Sequence, residues 1–393
     1  MKKRVLHFVR KSSQLKTSFI KNQITHHVNY EPFIVCRKNV DKEKDGGFAE
    51  FNLDLFEYLD LSLNETIIEK IKYKTIRTIT KRQIRLIENF IKEKSIDICH
   101  FHYGTDCGVF YPLLEKIKIP SVVSFYGYDV SFFPNRFLGY GKFFLRNRVF
   151  KKVKVVLAMT EEMKKDLINI GCPPEKIIVH YHGVPSEIFL IKRNNYGSFK
   201  ERDFVLLNVA NYNPVKGHIF IFQAIKRLID HEDIKIQLRI VGKNYNNSII
   251  TDFISKNRLE KYIKFLGPLK YGSREIVSEY INADAFIHPS VTTNEKEGIP
   301  GTIVEAMMAG LPVISTYHGG IPYVIKNYET GLLVNEWDID GLANAIKTLY
   351  INRGLCIKIG TAGQEYALKN LDIIEKEKEL EDIYDMLIDK FNF

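Results

Sequence analysis

The sequence predicts an α/β protein built from two doubly wound, Rossmann-like domains in tandem, followed by C-terminal helices. Three observations predict it. The chain has 393 residues, too many for one ordinary core and suited to two domains of about 200 residues each. Short apolar runs alternate with helical stretches, which is the pattern of parallel βαβ units. Around residues 190–203 the text turns polar and turn-rich, running through IKRNNYGSFKERD, as a linker would. The expected division is a first domain over 1–190, a linker over 191–203, a second domain over 204–370, and a last helix over 371–393 that packs back on the first domain. Doubly wound domains bind ligands outside their strand C-termini, so the two crevices are expected to face a central cleft.

Taken in order, the strands of the first half are expected at 4–9, 33–36, 96–102, 120–125, 153–158 and 176–181, each a short apolar run. Helices are expected at 17–28, 80–94, 106–117, 138–151 and 161–170. Thr17 and Ser18 stand where a helix N-cap belongs, and Gly171 followed by Pro173-Pro174 stops the helix before it. In the second half the order is strand 204–209, helix 217–231, strands 235–241 and 262–266, helix 273–282, strand 284–288, helix 301–309 and strand 311–315. From about 338 to 390 the pattern is nearly all helical, with Asp338 and Asp340 placed to cap its start.

Composition excludes several classes. Hydrophobic residues make up 45% and charged residues 26%, the balance of a soluble globular protein. No run of about 18 apolar residues occurs, so no membrane-spanning helix is expected. The basic start MKKR leads to only five positions, Val5–Val9, before charge returns; a secretory core needs more, and the cytoplasm is the expected location. Five scattered cysteines (36, 99, 107, 172 and 356) without a C-x-x-C pair argue for reduced thiols, against disulfides or a zinc site. The net charge of +10 is uneven: residues 1–190 hold 32 Lys/Arg against 21 Asp/Glu, a balance of +11. It concentrates at 70–85 and 142–154. The second stretch interleaves bulky apolar residues with cations, as a helix on an anionic membrane surface does; a solvated basic face explains it equally well. Nucleic acid is disfavoured, since no helix-turn-helix, zinc knuckle or RNP-like motif is present.

Residues 297–320, EGIPGTIVEAMMAGLPVISTYHGG, carry the most chemistry. Glu297 and Glu305 lie eight positions apart, with a Gly/Pro loop after the first and a small-residue helix around the second. Eight positions exceed two helical turns, so Glu297 belongs to the loop and Glu305 to the helix. Two carboxylates flanking a phosphate seat at a helix N-terminus suit a sugar nucleotide. Pro300 lacks an N–H, which leaves Gly298, Ile299 and Gly301 as backbone donors. Further upstream, NVANYNPVKGHIFIFQAI sets Lys216-Gly217 at a helix start after a strand, a cation beside free backbone N–H groups.

These stretches resemble the retaining glycosyltransferases of family 4, which adopt the two-Rossmann GT-B fold. The resemblance rests on Glu297 and Glu305 in an E-x(7)-E signature, Pro312-Val313-Ile314 and Gly319-Gly320, and it is strongest over 204–335. It implies that Glu305 accepts from ribose hydroxyls and Glu297 from hydroxyls of the transferred sugar, while Lys216 stabilises the leaving diphosphate. Asn211 stands where the family has an arginine, so one diphosphate cation is absent. Gly242 and the turn to Leu269 would border the base, and His288, in ADAFIHPS, is expected to be structural. In the first half, Thr17 and Ser18 either cap the helix or meet donor phosphates. His100, His102 and Tyr103 end a strand, and His102 matches a histidine of a family subgroup. SFYGYDVS matches His-Gly-x-Asp, with Gly127 and Asp129 kept and Tyr126 in the histidine's place. Tyrosine can donate to a sugar hydroxyl but is a poor base near neutrality. The acceptor is expected near His102, Tyr103, Tyr126 and Asp129.

The resemblance further implies same-face transfer without a protein nucleophile, the departing phosphate taking the acceptor's proton. No Asp-x-Asp stands in a suitable place, so neither a metal nor a cofactor is expected. The implied reaction moves a sugar from a UDP- or GDP-sugar onto a glycan or lipid-linked acceptor of a cell-surface polysaccharide. The alternatives are a nucleotide-sugar epimerase of the same fold, a catalytically silent sugar-nucleotide-binding subunit (supported by Asn211 and Tyr126) and, least, a basic nucleic-acid-binding protein.

Overall fold

The computed structural model describes residues 2–39, 51–191, 203–232, 234–243, 245, 248–293 and 296–391. Contacts divide the chain into two compact units, Met1–Gly183 with Ile373–Phe393, and Val184–Asp372. Most of the linker expected at 191–203 lies outside the described residues. Val184–Ile191 belong with the second unit because Phe189 is buried against Tyr271 and Tyr280.

The first unit is a seven-stranded parallel sheet. Its strands are β1 (Lys3–Lys11), β2 (Tyr30–Lys38), β3 (Tyr58–Asp60), β4 (Ile98–His102), β5 (Ser121–Ser124), β6 (Val155–Ala158) and β7 (Ile177–Val179), in the order β3-β2-β1-β4-β5-β6-β7. β4, β5 and β6 are buried along their whole length, as expected of a parallel sheet covered on both faces. The strand order reverses between β1 and β4. On one face, Val5, Ile98, Val122 and Leu157 pack with Leu380, Tyr384 and Leu387 of the last helix, Ile373–Phe391.

The second unit is a six-stranded parallel sheet of β8 (Phe204–Val209), β9 (Ile236–Val241), β10 (Ile263–Gly267), β11 (Ala285–His288), β12 (Val313–Thr316) and β13 (Leu332–Val334). Its order, β10-β9-β8-β11-β12-β13, reverses between β8 and β11. Helices His218–His231 and Ile339–Ile351 contribute to one continuous core with Leu206, Leu238, Ile287 and Ile314. Both units therefore have the doubly wound parallel architecture.

Several local expectations are corrected. The helix expected at 106–117 is two short helices, Gly104–Cys107 and Tyr111–Leu114, separated around Gly108. The helix expected at 17–28 is Ser18–Thr25, preceded by a 3-10 turn over Ser12–Lys16. Thr17 occupies its N-cap position, but its hydroxyl donates back to the Gln14 carbonyl at 2.5 Å and makes no cap. At the later helix Asp338 accepts from the Gly341 N–H at 2.8 Å, whereas Asp340 pairs with Arg227. β3 and the helix Ile67–Ile76 were not anticipated. All five cysteines are buried free thiols.

Candidate functional site

In the second unit the chemistry collects where the strand order reverses, at the C-terminal ends of β8 and β11. The turn after β8 runs through Pro214–Lys216 to Gly217, whose φ of +69° opens helix His218–His231. A Cβ at Gly217 would sit 1.9 Å from the Pro289 carbonyl oxygen. Glycine there lets the β8 turn touch the β11 loop and brings Lys216 to Glu297.

Lys216 Nζ donates to Glu297 Oε1, and Ser290 Oγ donates to Oε2 at 2.6 Å. His288 Nε2 lies 3.5 Å from the same Oε2. Burial alone would raise the Glu297 pKa, but the Lys216 ammonium beside it outweighs burial and holds the carboxyl below the usual range. Burial dominates at His288 and lowers its pKa, so the ring is neutral. Neither of its nitrogens makes a hydrogen bond within standard geometry. His288, expected to be structural, is buried and faces the charged pair.

Glu305 sits in helix Gly301–Met308, for which Pro300 is the N-cap, and is buried. Burial pushes its pKa up to about 7, opposed by the Tyr280 hydroxyl that donates to Oε2 at 2.7 Å. Gly298 and Ile299 are buried beside it, and Gly301 opens the helix. Asn211 is occupied in joining two loops, its Oδ1 accepting the Lys243 N–H at 2.9 Å. Gly242 ends β9 with its N–H on the Gly267 carbonyl at 2.9 Å, and Leu269 lies partly exposed beyond β10. The structure therefore gathers Lys216 and Glu297 directly, with Glu305 on the adjoining helix.

The first unit holds a different arrangement. Asp129 is buried and accepts backbone N–H groups of Gly104 (2.8 Å), Tyr126 (3.1 Å) and Gly127 (3.2 Å). Burial pushes its pKa up to about 6, the hydrogen bonds opposing it. Tyr126 turns its hydroxyl inward, 2.7 Å from His102 Nδ1 and 3.1 Å from Gln23 Oε1. Tyr103 packs edge-on against Tyr126 and Phe19. Ser18 begins the helix that carries Phe19.

Behind Tyr126, His102 Nε2 lies 3.0 Å from His7 Nδ1, and His7 Nε2 lies 3.0 Å from His27 Nε2. Ring nitrogens of His7, His100 and His102 fall within 4.8 Å of one another, which makes them candidate metal ligands. Those of His7 face His27 and His102, and those of His100 face Tyr384 and Ser124. The cluster is thus already closed by hydrogen bonds.

The chain matches two family models, Glycosyl transferases group 1 over residues 192–366 and Glycosyltransferase Family 4 over 60–188. The chain belongs to this family of glycosyltransferases. Among its relatives, the amylovoran biosynthesis glycosyltransferase AmsK of Erwinia amylovora is 29% identical over 261 residues, 64% of this chain and 61% of AmsK. The chain thus spans about three fifths of that relative. An N-acetyl-alpha-D-glucosaminyl L-malate synthase of Bacillus anthracis is 23% identical over 77% of this chain and 78% of its own. Among solved structures, HepE of Anabaena in complex with UDP superposes with a TM-score of 0.75 at 16% identity, covering 98% of this chain and all of HepE. A glycosyltransferase from Rickettsia africae gives 0.74 at 19% identity, covering 98% and 99%. These likenesses show the GT-B fold.

Sequence reasoning missed Ser290, His318 and Glu336. Each follows the C-terminal end of a strand (β11, β12 and β13), and a polar residue just past a buried strand was the available signal.

Proposed function

We propose that the protein is a retaining glycosyltransferase that transfers a sugar from a UDP- or GDP-sugar to a glycan or lipid-linked acceptor in cell-surface polysaccharide synthesis. The observation that carries this reading is the Lys216–Glu297 pair at the β8/β11 reversal, four residues before the helix that holds Glu305. In this reading Glu297 accepts hydroxyls of the transferred sugar and Glu305 those of the ribose. Lys216 exchanges part of its contact with Glu297 for the diphosphate, together with the Gly298, Ile299 and Gly301 amides. Charge building on the leaving group is then met by groups already in place, the largest catalytic effect such a site offers. Asn211, Gly242 and Leu269 border the nucleotide. Tyr126, His102, Tyr103, Asp129, Thr17 and Ser18 serve the acceptor side, Tyr126 through its ring edge and Asp129 by holding the Tyr126–Gly127 backbone. No cofactor or metal is assigned a role in this reading. HepE is named in complex with UDP-glucose and AmsK for amylovoran synthesis, which supports this donor and product class.

A membrane-facing surface fits a lipid-linked acceptor. In helix Ile67–Ile76, Ile67, Ile68 and Ile71 are 76%, 74% and 55% exposed, alongside exposed Lys70 and Lys74. Arg148 donates to the Ile76 and Arg77 carbonyls at 2.9 and 3.0 Å, which joins this helix to the segment bearing exposed Leu138, Tyr140 and Phe143. Apolar side chains among cations suit an anionic bilayer surface at the inner face of the cytoplasmic membrane.

Thermal shift with UDP-glucose, UDP-galactose, UDP-N-acetylglucosamine, GDP-mannose and GDP-fucose tests the donor, because a ligand of the folded state raises its stability. At least one should stabilise the protein, and proton NMR of the product formed with a glycan acceptor should show the donor's anomeric configuration. Stabilisation by none, or an epimerised donor formed without acceptor, would overturn the proposal. The Bacillus anthracis relative favours a second reading, a small hydroxy acid as acceptor; transfer to malate and not to glycans would establish it.

A further inference from the structure

We propose that His318 and Glu336 are positioning residues that set the Glu297 loop for glycosyl transfer; this rests on the function proposed above. His318 follows β12 and is fully buried. Its Nε2 lies 3.1 Å from the Glu297 backbone nitrogen, and its Nδ1 lies 2.9 Å from Glu336 Oε1. A backbone N–H can only donate, so Nε2 must be the acceptor. The proton then resides on Nδ1 and is donated to Glu336. One peptide N–H thereby selects the neutral tautomer, as a carboxylate orients a histidine behind a metal or a nucleophile.

Glu336 reaches a second point on the loop. Its Oε2 accepts the Thr292 N–H at 2.5 Å, and its Oε1 accepts the Thr292 hydroxyl at 3.0 Å. The pair therefore holds Thr292, near the loop's start, and Glu297, the residue that meets Lys216. Nearby backbone contacts complete the support. The Gly320 N–H donates to the Gly298 carbonyl at 3.1 Å. Gly319 has φ +49°, and a Cβ there would sit 2.2 Å from the Glu297 carbonyl oxygen. Burial would raise the Glu336 pKa, but donation from Thr292 and His318 holds it below the usual range, so it stays an acceptor.

His318 and Glu336 touch neither Lys216 nor the Glu297 carboxylate in the contacts above; they act through the Glu297 main chain. Their contribution belongs to the turnover step. A misplacement of about 1 Å at a reacting group can cost about a hundredfold in rate.

The test compares His318→Gln, His318→Asn and Glu336→Ala by steady-state kinetics with whichever panel donor the wild type turns over. Glutamine can put a carbonyl oxygen where Nε2 accepts the Glu297 N–H, whereas asparagine can only replace the donation to Glu336. His318→Asn and Glu336→Ala should lower kcat at least about tenfold with donor KM within about threefold, and His318→Gln should recover most of kcat. Circular dichroism and the unliganded melting temperature identify any variant that fails to fold. Should either loss variant misfold, His318→Gln against wild type, with Glu336→Gln, decides the question by the same kcat and KM comparison. Folded loss variants with wild-type kcat, or losses confined to KM, would overturn the inference. A wild type that turns over no donor would overturn the function instead.

Discussion

Two clusters, one in each unit, hold ionisable groups in opposite ways. In the second, Lys216 and Glu297 form a charged pair whose carboxyl is held ionised by its neighbours. In the first, His7, His27, His100 and His102 lie buried and neutral, their pKa values lowered chiefly by burial. Beside them Glu377 is fully buried, and burial with Glu381 nearby raises its pKa well above the usual range. A buried charge is kept where a partner is fixed beside it, and discharged where none is. The charged region is the one proposed to act on a diphosphate; the neutral one links β1, β4 and β5 to Tyr126 by hydrogen bonds.

The largest expected effect tests the charged region. Glu297→Gln should lower kcat by about a hundredfold or more, by analogy with loss of one group that stabilises transition-state charge, with donor affinity changed far less. Equal losses of affinity in Glu297→Gln and Glu305→Ala would erase the distinction between the two carboxylates.

Next comes the neutral region. Histidines whose folded pKa is depressed contribute stability that is present above their unfolded value, about 6.5, and lost as pH falls. His102 is pushed down to about 3, and His180 and His182 to about 4. Unfolding of the first unit should therefore become easier from about pH 6.5 downward, by several kcal/mol across the window. Urea denaturation at pH 7.5, 6 and 5, followed by tyrosine fluorescence, checks it; a flat profile would contradict the neutral assignment.

A smaller effect belongs to Glu305. Since its pKa is raised to about 7, the carboxylate proposed to bind ribose is fully formed only above that pH. Nucleotide affinity should rise severalfold between pH 6 and 8 by calorimetry, and Glu305→Gln should remove the slope. The smallest concerns the face proposed to meet the membrane. Ile68→Ser with Phe143→Ser should weaken cosedimentation with phosphatidylglycerol vesicles a few-fold, while transfer to a soluble acceptor stays unchanged.

Legibility differed between the units for physical reasons. The strand at 204–209 coincides with β8, and β9 to β12 fall within about two residues of expectation; β11 and β12, buried along their whole length, are the strands covered on both faces. Helix Ile67–Ile76 was hidden because its isoleucines face outward among lysines, which defeats the usual apolar-in pattern. In the site, Glu297, Glu305 and Lys216 were visible through spacing and loop chemistry. His318 and Glu336 were not. They meet Glu297 only because β11, β12 and β13 lie side by side, a neighbourhood created by sheet order.

The last helix gives the first unit an unusual birth order. Tyr384 supplies a hydroxyl 2.5 Å from His100 Nδ1, Glu381 accepts the Val28 and Asn29 N–H groups, and Leu380 and Leu387 complete the core over Val5 and Val122. During translation, residues 1–183 emerge from the ribosome well before the segment that covers them. That sheet must wait, one face bare, until the second unit has been made.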